Sequence, residues 1–247
     1  MAHIHQTAIP QAATRRERLR EALTADIKDC AARQLAEGGP SAVTLRGIAR
    51  EIGVSPAALY GYFDSLDALF TALIVDGYED LADAVTTAAQ TPGTPGARLL
   101  ASCHAFRRWA LDHPERFRLL YFSPVPGYEA PADGEAMAAS LRVFVPMLGI
   151  IVASWQDGTL PPPPPGPPVD VTKFREYFGL EITSDQLRMT TECWAEFHGL
   201  VALEVNGHIV EEWVDPAALF DANMIATIRR IGFELADATD TTVRATR

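Results

Sequence analysis

A chain of 247 residues, 48% of them hydrophobic, is long enough for one large or two modest domains with real cores. Its formal net charge of −11 argues against a protein that coats nucleic acid through broad positive charge, and no run of eighteen or more uncharged apolar residues marks a membrane span. Three cysteines, Cys30, Cys103 and Cys193, are odd in number and far apart, which predicts buried thiols in a reducing cytoplasm rather than a disulfide or zinc framework.

Residues 1–13 lack the apolar core of a secretory signal and read as a flexible tail. A helix is predicted from Thr14 to Glu37, with Leu19, Leu23, Ile27, Ala31 and Leu35 on one face and Gly38-Gly39-Pro40 stopping it. Arg15, Arg16, Arg18 and Arg20 bunch at its start. Between Thr14 and Ser65 eight Lys/Arg face seven Asp/Glu, a balance of +1, so the rest of the chain carries −12. A near-neutral leading module with an arginine-rich edge can track phosphates, while the acidic remainder suppresses non-specific sticking.

Thr44 to Phe63, TLRGIAREIGVSPAALYGYF, reads as two short helices about a glycine turn. Thr44 is an N-cap, and Leu45, Ile48, Ala49 and Ile52 recur at spacings of three and four. Gly53 suits the left-handed residue that ends a helix, and Ser55-Pro56 restarts the chain as N-cap and first-turn proline. The second helix turns Leu59 and Phe63 inward and leaves Ala57, Ala58, Tyr60, Gly61 and Tyr62 outward. That pattern is a helix-turn-helix, whose second helix enters the major groove of double-stranded DNA. Small residues at its leading end let the backbone approach base edges, and tyrosine hydroxyls suit phosphate oxygens. The candidate DNA contacts are Arg15, Arg16, Arg18, Thr44, Leu45, Arg46, Ser55, Pro56, Ala57, Ala58, Tyr60, Gly61 and Tyr62.

Thr44, Ile48, Ala49, Gly53, Val54, Ser55, Leu59, Tyr60, Phe63, Ser65 and Leu69 together resemble the DNA-binding domain of the TetR family of one-component repressors. The likeness covers about the first quarter of the chain and implies an all-α regulator that binds an operator as a homodimer. It departs at Leu66, where the family usually has a phosphate-contacting lysine, and at Gly61, often a bulkier side chain.

Beyond this head, Asp64 or Ser65 caps a long helix with Leu66, Leu69, Phe70, Leu73, Ile74, Tyr78, Leu81 and Val85 as its stripe. It is too long for the head alone and should continue into a second domain. Further helices are predicted at Ala97–Asp112, Glu115–Phe122, and Glu135–Gln156, the last containing Pro146. A Pro/Gly-rich loop runs from the second of these to about Asp133. Pro161–Pro168 must be an extended connector, placed within 157–183. The last helices, Ser184–Asn206 and Pro216–Ala236, are apolar over wide arcs and so should be buried on two sides, one of them by a partner subunit. The domains read as 1–13 tail, 14–64 DNA-binding head and 65–240 effector-binding and dimerisation domain. The class is all-α.

The segment Trp194 to His208, WAEFHGLVALEVNGH, resembles the Trp…His-Gly element of one type of TetR-like C-terminal domain. Aromatic residues on the middle helices suggest a pocket for a small, mostly apolar effector. Its candidate contacts are His104, Phe106, Trp109, Phe122, Phe144, Met147, Trp155, Trp194 and His198. Leu200, Val201, Met224, Ile225 and Ile228 are the candidate dimer seam. An enzymatic alternative would draw on Glu192, Glu196 and His198. His198, however, falls about 120° round the helix from Glu192, and no nucleophile elbow, phosphate loop or metal motif accompanies them. No metal, cofactor or catalytic group is expected.

Overall fold

The structure, a computed structural model, describes residues 14–122, 128 and 134–235. The tail 1–13, most of the loop before Asp133, and residues 236–240 at the end of the expected second domain lie outside the described residues. Within them the chain forms ten α-helices and one 3-10 turn, with no strand. It divides into two compact units. One comprises the described residues up to Leu73 together with Tyr128, and the other runs from Ile74 to Phe122 and from Gly134 onward.

In the first unit, α1 (Arg15–Gly38) opens with a capping box in which Thr14 and Glu17 satisfy each other's backbone N–H groups. Ile27, Cys30, Ala31 and Leu35 are buried along it, whereas Leu19, expected on the same stripe, is 61% exposed. The periodicity is right, but the first turns of α1 extend past the core. A 3-10 turn (Pro40–Ala42) leads to α2 (Leu45–Ile52) and α3 (Pro56–Leu59). Ile48, Ala49, Leu59, Leu69 and Phe70 close the core without accessible surface.

α4 (Leu66–Ala89) starts in the first unit, where the Ser65 hydroxyl accepts from the Ala68 N–H at 3.0 Å, and ends in the second. The second unit adds α5 (Pro95–Asp112), α6 (Pro114–Tyr121), α7 (Glu135–Gln156), α8 (Thr172–Phe178), α9 (Ser184–Val205) and α10 (Pro216–Ile231). α7, at the bounds expected from the sequence, is long and apolar enough to cross a membrane. It packs on α5, and Val143, Met147, Ile150 and Ile151 are buried within the unit, so one face of it is spent on this core while Met137 and Val145 stay exposed. Its Pro146 lies inside the helix, where the ring leaves the Arg142 carbonyl without its usual donor.

Two boundaries differ from expectation. The segment given to the connector contains α8, whose Phe174 and Phe178 pack with Val171 and Leu180 against Leu148, Val152 and Ile182. α10 ends at Ile231, because Gly232 takes a left-handed conformation at φ 114° and turns buried Phe233 back onto the core. The proline segment itself has no regular structure and is tied down by side chains. Trp155 Nε1 donates to the Pro161 carbonyl at 3.2 Å, Arg188 Nη2 to the Pro164 carbonyl at 2.7 Å, and the Gly166 N–H to Asp185 at 2.9 Å.

Candidate functional site

The first candidate surface grows from α2 and α3. Thr44 Oγ1 accepts from the Gly47 N–H at 3.0 Å, fixing the start of α2. Position 47 must be small, since a Cβ there would lie 2.8 Å from Thr44 Oγ1 and 3.4 Å from Gln34 on α1. Glu51 pins α2 to α1 by accepting from Gln34 Nε2 at 3.0 Å and Arg33 Nη2 at 2.9 Å. These bonds hold its carboxyl well below the usual range, at about 2. Gly53, at φ 74°, ends α2, and Ser55 Oγ then caps α3 through the Ala58 N–H at 3.2 Å. α3 has one α-helical turn. It tightens into i−3 bonds, the Gly61 N–H to the Ala58 carbonyl and the Tyr62 N–H to the Leu59 carbonyl. With Leu59 buried, Pro56, Ala57, Ala58, Tyr60 and Gly61 are left facing solvent.

Arg20 reaches this segment from α1. Its Nη2 donates to the Gly61 carbonyl at 3.1 Å and its guanidinium sits 5.0 Å from the centre of the Tyr62 ring. Arg15, Arg16, Leu19, Arg20 and Tyr62 together line one shallow groove. The arginine-rich lead-in and the end of the reading segment therefore form a single surface. It carries three guanidinium groups beside an exposed small-residue ridge, a combination suited to a phosphate backbone and a groove floor.

The second candidate site is a cavity of about 290 Å³ lined by α5, α7, α8, α9 and α10. Phe144, Met147, Ile151, Trp194, Phe197, Met224 and Ile228 form much of its wall, and Phe174 and Phe178 of α8 contribute further rings. The rest is aliphatic except for Cys103, Cys193, Thr190, Thr191 and Thr227; no charged side chain lines it among the described residues. Burial pushes the Cys103 thiol up to about 12, and Cys193 is raised by the same cause, so both are protonated and unreactive.

Residues 27–73 match the family model of bacterial regulatory proteins of the tetR family, and residues 99–227 match a tetracyclin repressor-like C-terminal domain. The HTH-type transcriptional regulator Rv1816 of Mycobacterium tuberculosis is 37% identical over 220 residues, covering 84% of this chain and 92% of its own. In the solved regulatory protein SCO4313 the fold recurs with a TM-score of 0.71 at 33% identity, over 87% of this chain and 98% of that one. A tetR-family regulatory protein from Rhodococcus RHA1 shares the fold alone, with a TM-score of 0.59 at 17% identity, over 86% of this chain and 98% of that one. The chain belongs to the TetR family.

As a TetR-family protein it is a DNA-binding transcriptional regulator with an all-α fold, and several sequence-derived positions can be placed more sharply. Among the expected DNA contacts, Leu45 is 9% exposed and turned into the core, because the first residue of α2 falls on the helix's inward stripe. Arg15, Arg16, Arg18, Thr44, Arg46 and Ser55 are exposed, and Tyr62 is half-buried against Arg20. Arg20 itself was left out of the expected set. Helical spacing gives the face of α1 on which it lies, but not which loop it meets.

Of the expected effector contacts, Phe144, Met147 and Trp194 line the cavity. The other six have different neighbours. Phe106 is fully buried among Phe117, Trp194 and Phe197. His104 packs on Phe220 with Asp221 at 3.5 Å, Trp109 Nε1 donates to Asp80 on α4 at 3.0 Å, and Trp155 holds the proline segment. Phe122 and Trp194 both stack on His198, at 5.7 and 5.0 Å between ring centres. Aromatic side chains at helical spacing mark a core and cannot say which part of it stays open.

Among the expected seam residues, Val201, Met224 and Ile228 have 0–2% exposure in the single chain, and Met224 and Ile228 line the cavity. They have no surface left for a partner; Leu200 and Ile225 are half-buried. The carboxylates considered for catalysis are engaged separately, Glu192 with Arg188 at 3.1 Å and Glu196 with Arg230 at 2.5 Å. Two signals for the missed wall residues were present in the sequence. Val171, Phe174 and Phe178 sit three and four apart inside the connector, and Thr227 interrupts the apolar stripe of Met224, Ile228 and Ile231.

Proposed function

We propose that this regulator is a homodimeric repressor that releases a palindromic operator when a small, mostly apolar effector occupies the cavity. The observation that carries the reading is α4. A single 24-residue helix belongs both to the unit with the DNA-reading segment and to the unit that holds the cavity. A packing change in the second unit therefore has a continuous helical path to the first. Effector coupling of this kind is a difference in affinity between two conformations, typically ~1–3 kcal/mol. Each subunit presents Ala57, Ala58 and Tyr60 to a major groove, with Arg15, Arg16 and Thr44 on phosphates. A reading segment this short contacts few bases, so useful specificity calls for two copies at half-sites one or more helical turns apart.

Selection of sites from random duplex DNA by the purified full chain tests this. Enrichment of a two-fold symmetric sequence is expected. Tyr60→Ala should weaken binding to it about tenfold, or ~1.4 kcal/mol, with the subunit association unchanged in sedimentation. Enrichment of a lone half-site, or of no sequence, would overturn the dimeric operator reading.

A further inference from the structure

From the cavity wall we infer the chemical class of molecule that it accepts: a neutral, largely apolar compound with one hydroxyl or carbonyl group, anchored by Thr227. The inference rests on the cavity being the effector site. Three threonines line it, and two have their hydroxyls committed. Thr190 Oγ1 donates to the Gln186 and Leu187 carbonyls and Thr191 Oγ1 to the Leu187 carbonyl, at 2.8–3.0 Å. Threonine in a helix commonly makes this backward bond. Thr227 does not: its Oγ1 is buried without a hydrogen-bond partner among the described residues, on a residue 4% exposed. A buried hydroxyl is costly when unpaired, so this one marks where a ligand's polar atom gains most.

The same wall selects against charge. Arg230 sets Nη2 3.8 Å from the Cys193 sulfur, but its charge is taken by Glu196 at 2.5 Å. A carboxylate or ammonium group entering here would lose its hydration and meet no opposite charge, which disfavours binding steeply. Phe144, Trp194, Phe174 and Phe178 offer ring faces and edges to a hydrocarbon or aromatic body instead.

Octan-1-ol and octanoate, matched in chain length, are suitable probes, titrated at pH 8 with Trp194 in the cavity wall as the fluorescent reporter. Octan-1-ol should bind saturably and octanoate at least ~10-fold more weakly. Thr227→Val, nearly isosteric, should weaken octan-1-ol binding about five- to tenfold, as loss of one hydrogen bond predicts. Thr227→Ser should restore it. Octanoate binding as tightly as the alcohol, no saturable alcohol binding, or an unchanged Thr227→Val affinity would each overturn the inference. Operator binding measured alongside separates the two proposals. Selective alcohol binding that leaves DNA affinity untouched upholds the neutral-ligand site and sinks the effector role of the cavity.

Discussion

Arg20 donates to the carbonyl of Gly61 and sets its guanidinium over Tyr62, so its charge steadies the last turn of the reading segment. An exposed charge-assisted bond and cation–π contact of this kind are each worth about 0.5–1 kcal/mol. Arg20→Ala should weaken operator binding about fivefold, or ~1 kcal/mol, by loosening that turn. The salt dependence of binding identifies the cause. Loss of a phosphate contact would reduce the log–log salt slope by about 0.9, whereas loss of a brace leaves the slope unchanged. A flattened slope would place Arg20 among the phosphate contacts instead. At this scale the caps were legible in the sequence, since Thr44 and Ser55 need only the local chain to do their work. Arg20 was not, because its role depends on which distant element the side chain meets, whereas the inward place of Leu45 was already given by its spacing with Ile48 and Ile52.

α6 is held between α4 and α9. Tyr78 on α4 donates its hydroxyl to the Leu120 carbonyl at 2.9 Å, and its ring meets Tyr121 edge-on at 5.7 Å. On the other side Tyr121 packs on His198 of α9 at 4.6 Å. The Tyr121 hydroxyl and His198 Nε2 are both buried without hydrogen-bond partners among the described residues. Burial lowers the His198 pKa below its ordinary 6.5, so the fold holds the imidazole neutral. The unfolded chain takes up that proton below about pH 6.5 and the folded chain does so only at lower pH. Stability from this residue is thus complete above that value and falls as the solution is acidified through it, levelling off below the folded-state pKa. His198→Phe should remove this contribution. Relative to wild type, the variant's melting temperature should rise between pH 7.5 and 5.5; a constant difference would show that His198 is not titrating in this window. Long elements such as α4, α7 and α9 were legible because their stripes run for several turns. α8 was not, since seven residues after a proline run give two turns of signal, and only contact with Leu148 and Val152 makes them a stable helix.

At the scale of the molecule, the unsettled surface is the one a second subunit would cover. The sequence pointed to the two last helices but chose their inward side, because an apolar arc looks the same whichever neighbour buries it. One strip of what those helices leave outside the subunit is small apart from Leu203. Ala195, Gly199, Ala202 and Leu203 follow one another at helical spacing on α9, as do Ala218, Ala222 and Ala226 on α10, and all keep accessible surface. A Cβ added at Gly199 would meet nothing within 4 Å among the described residues. Within an isolated subunit, Gly199→Leu should therefore be tolerated and even favourable, by about 0.5–1 kcal/mol, since glycine is a poor helix former. Across a seam of small residues the same side chain would wedge the helices apart. If α9 forms the dimer, Gly199→Leu should raise the dimer dissociation constant at least ~10-fold in sedimentation equilibrium, or ~1.4 kcal/mol. Operator affinity should fall with it, because each head alone reads only a half-site. A variant that stays dimeric and melts at a higher temperature would move the seam away from this face of α9.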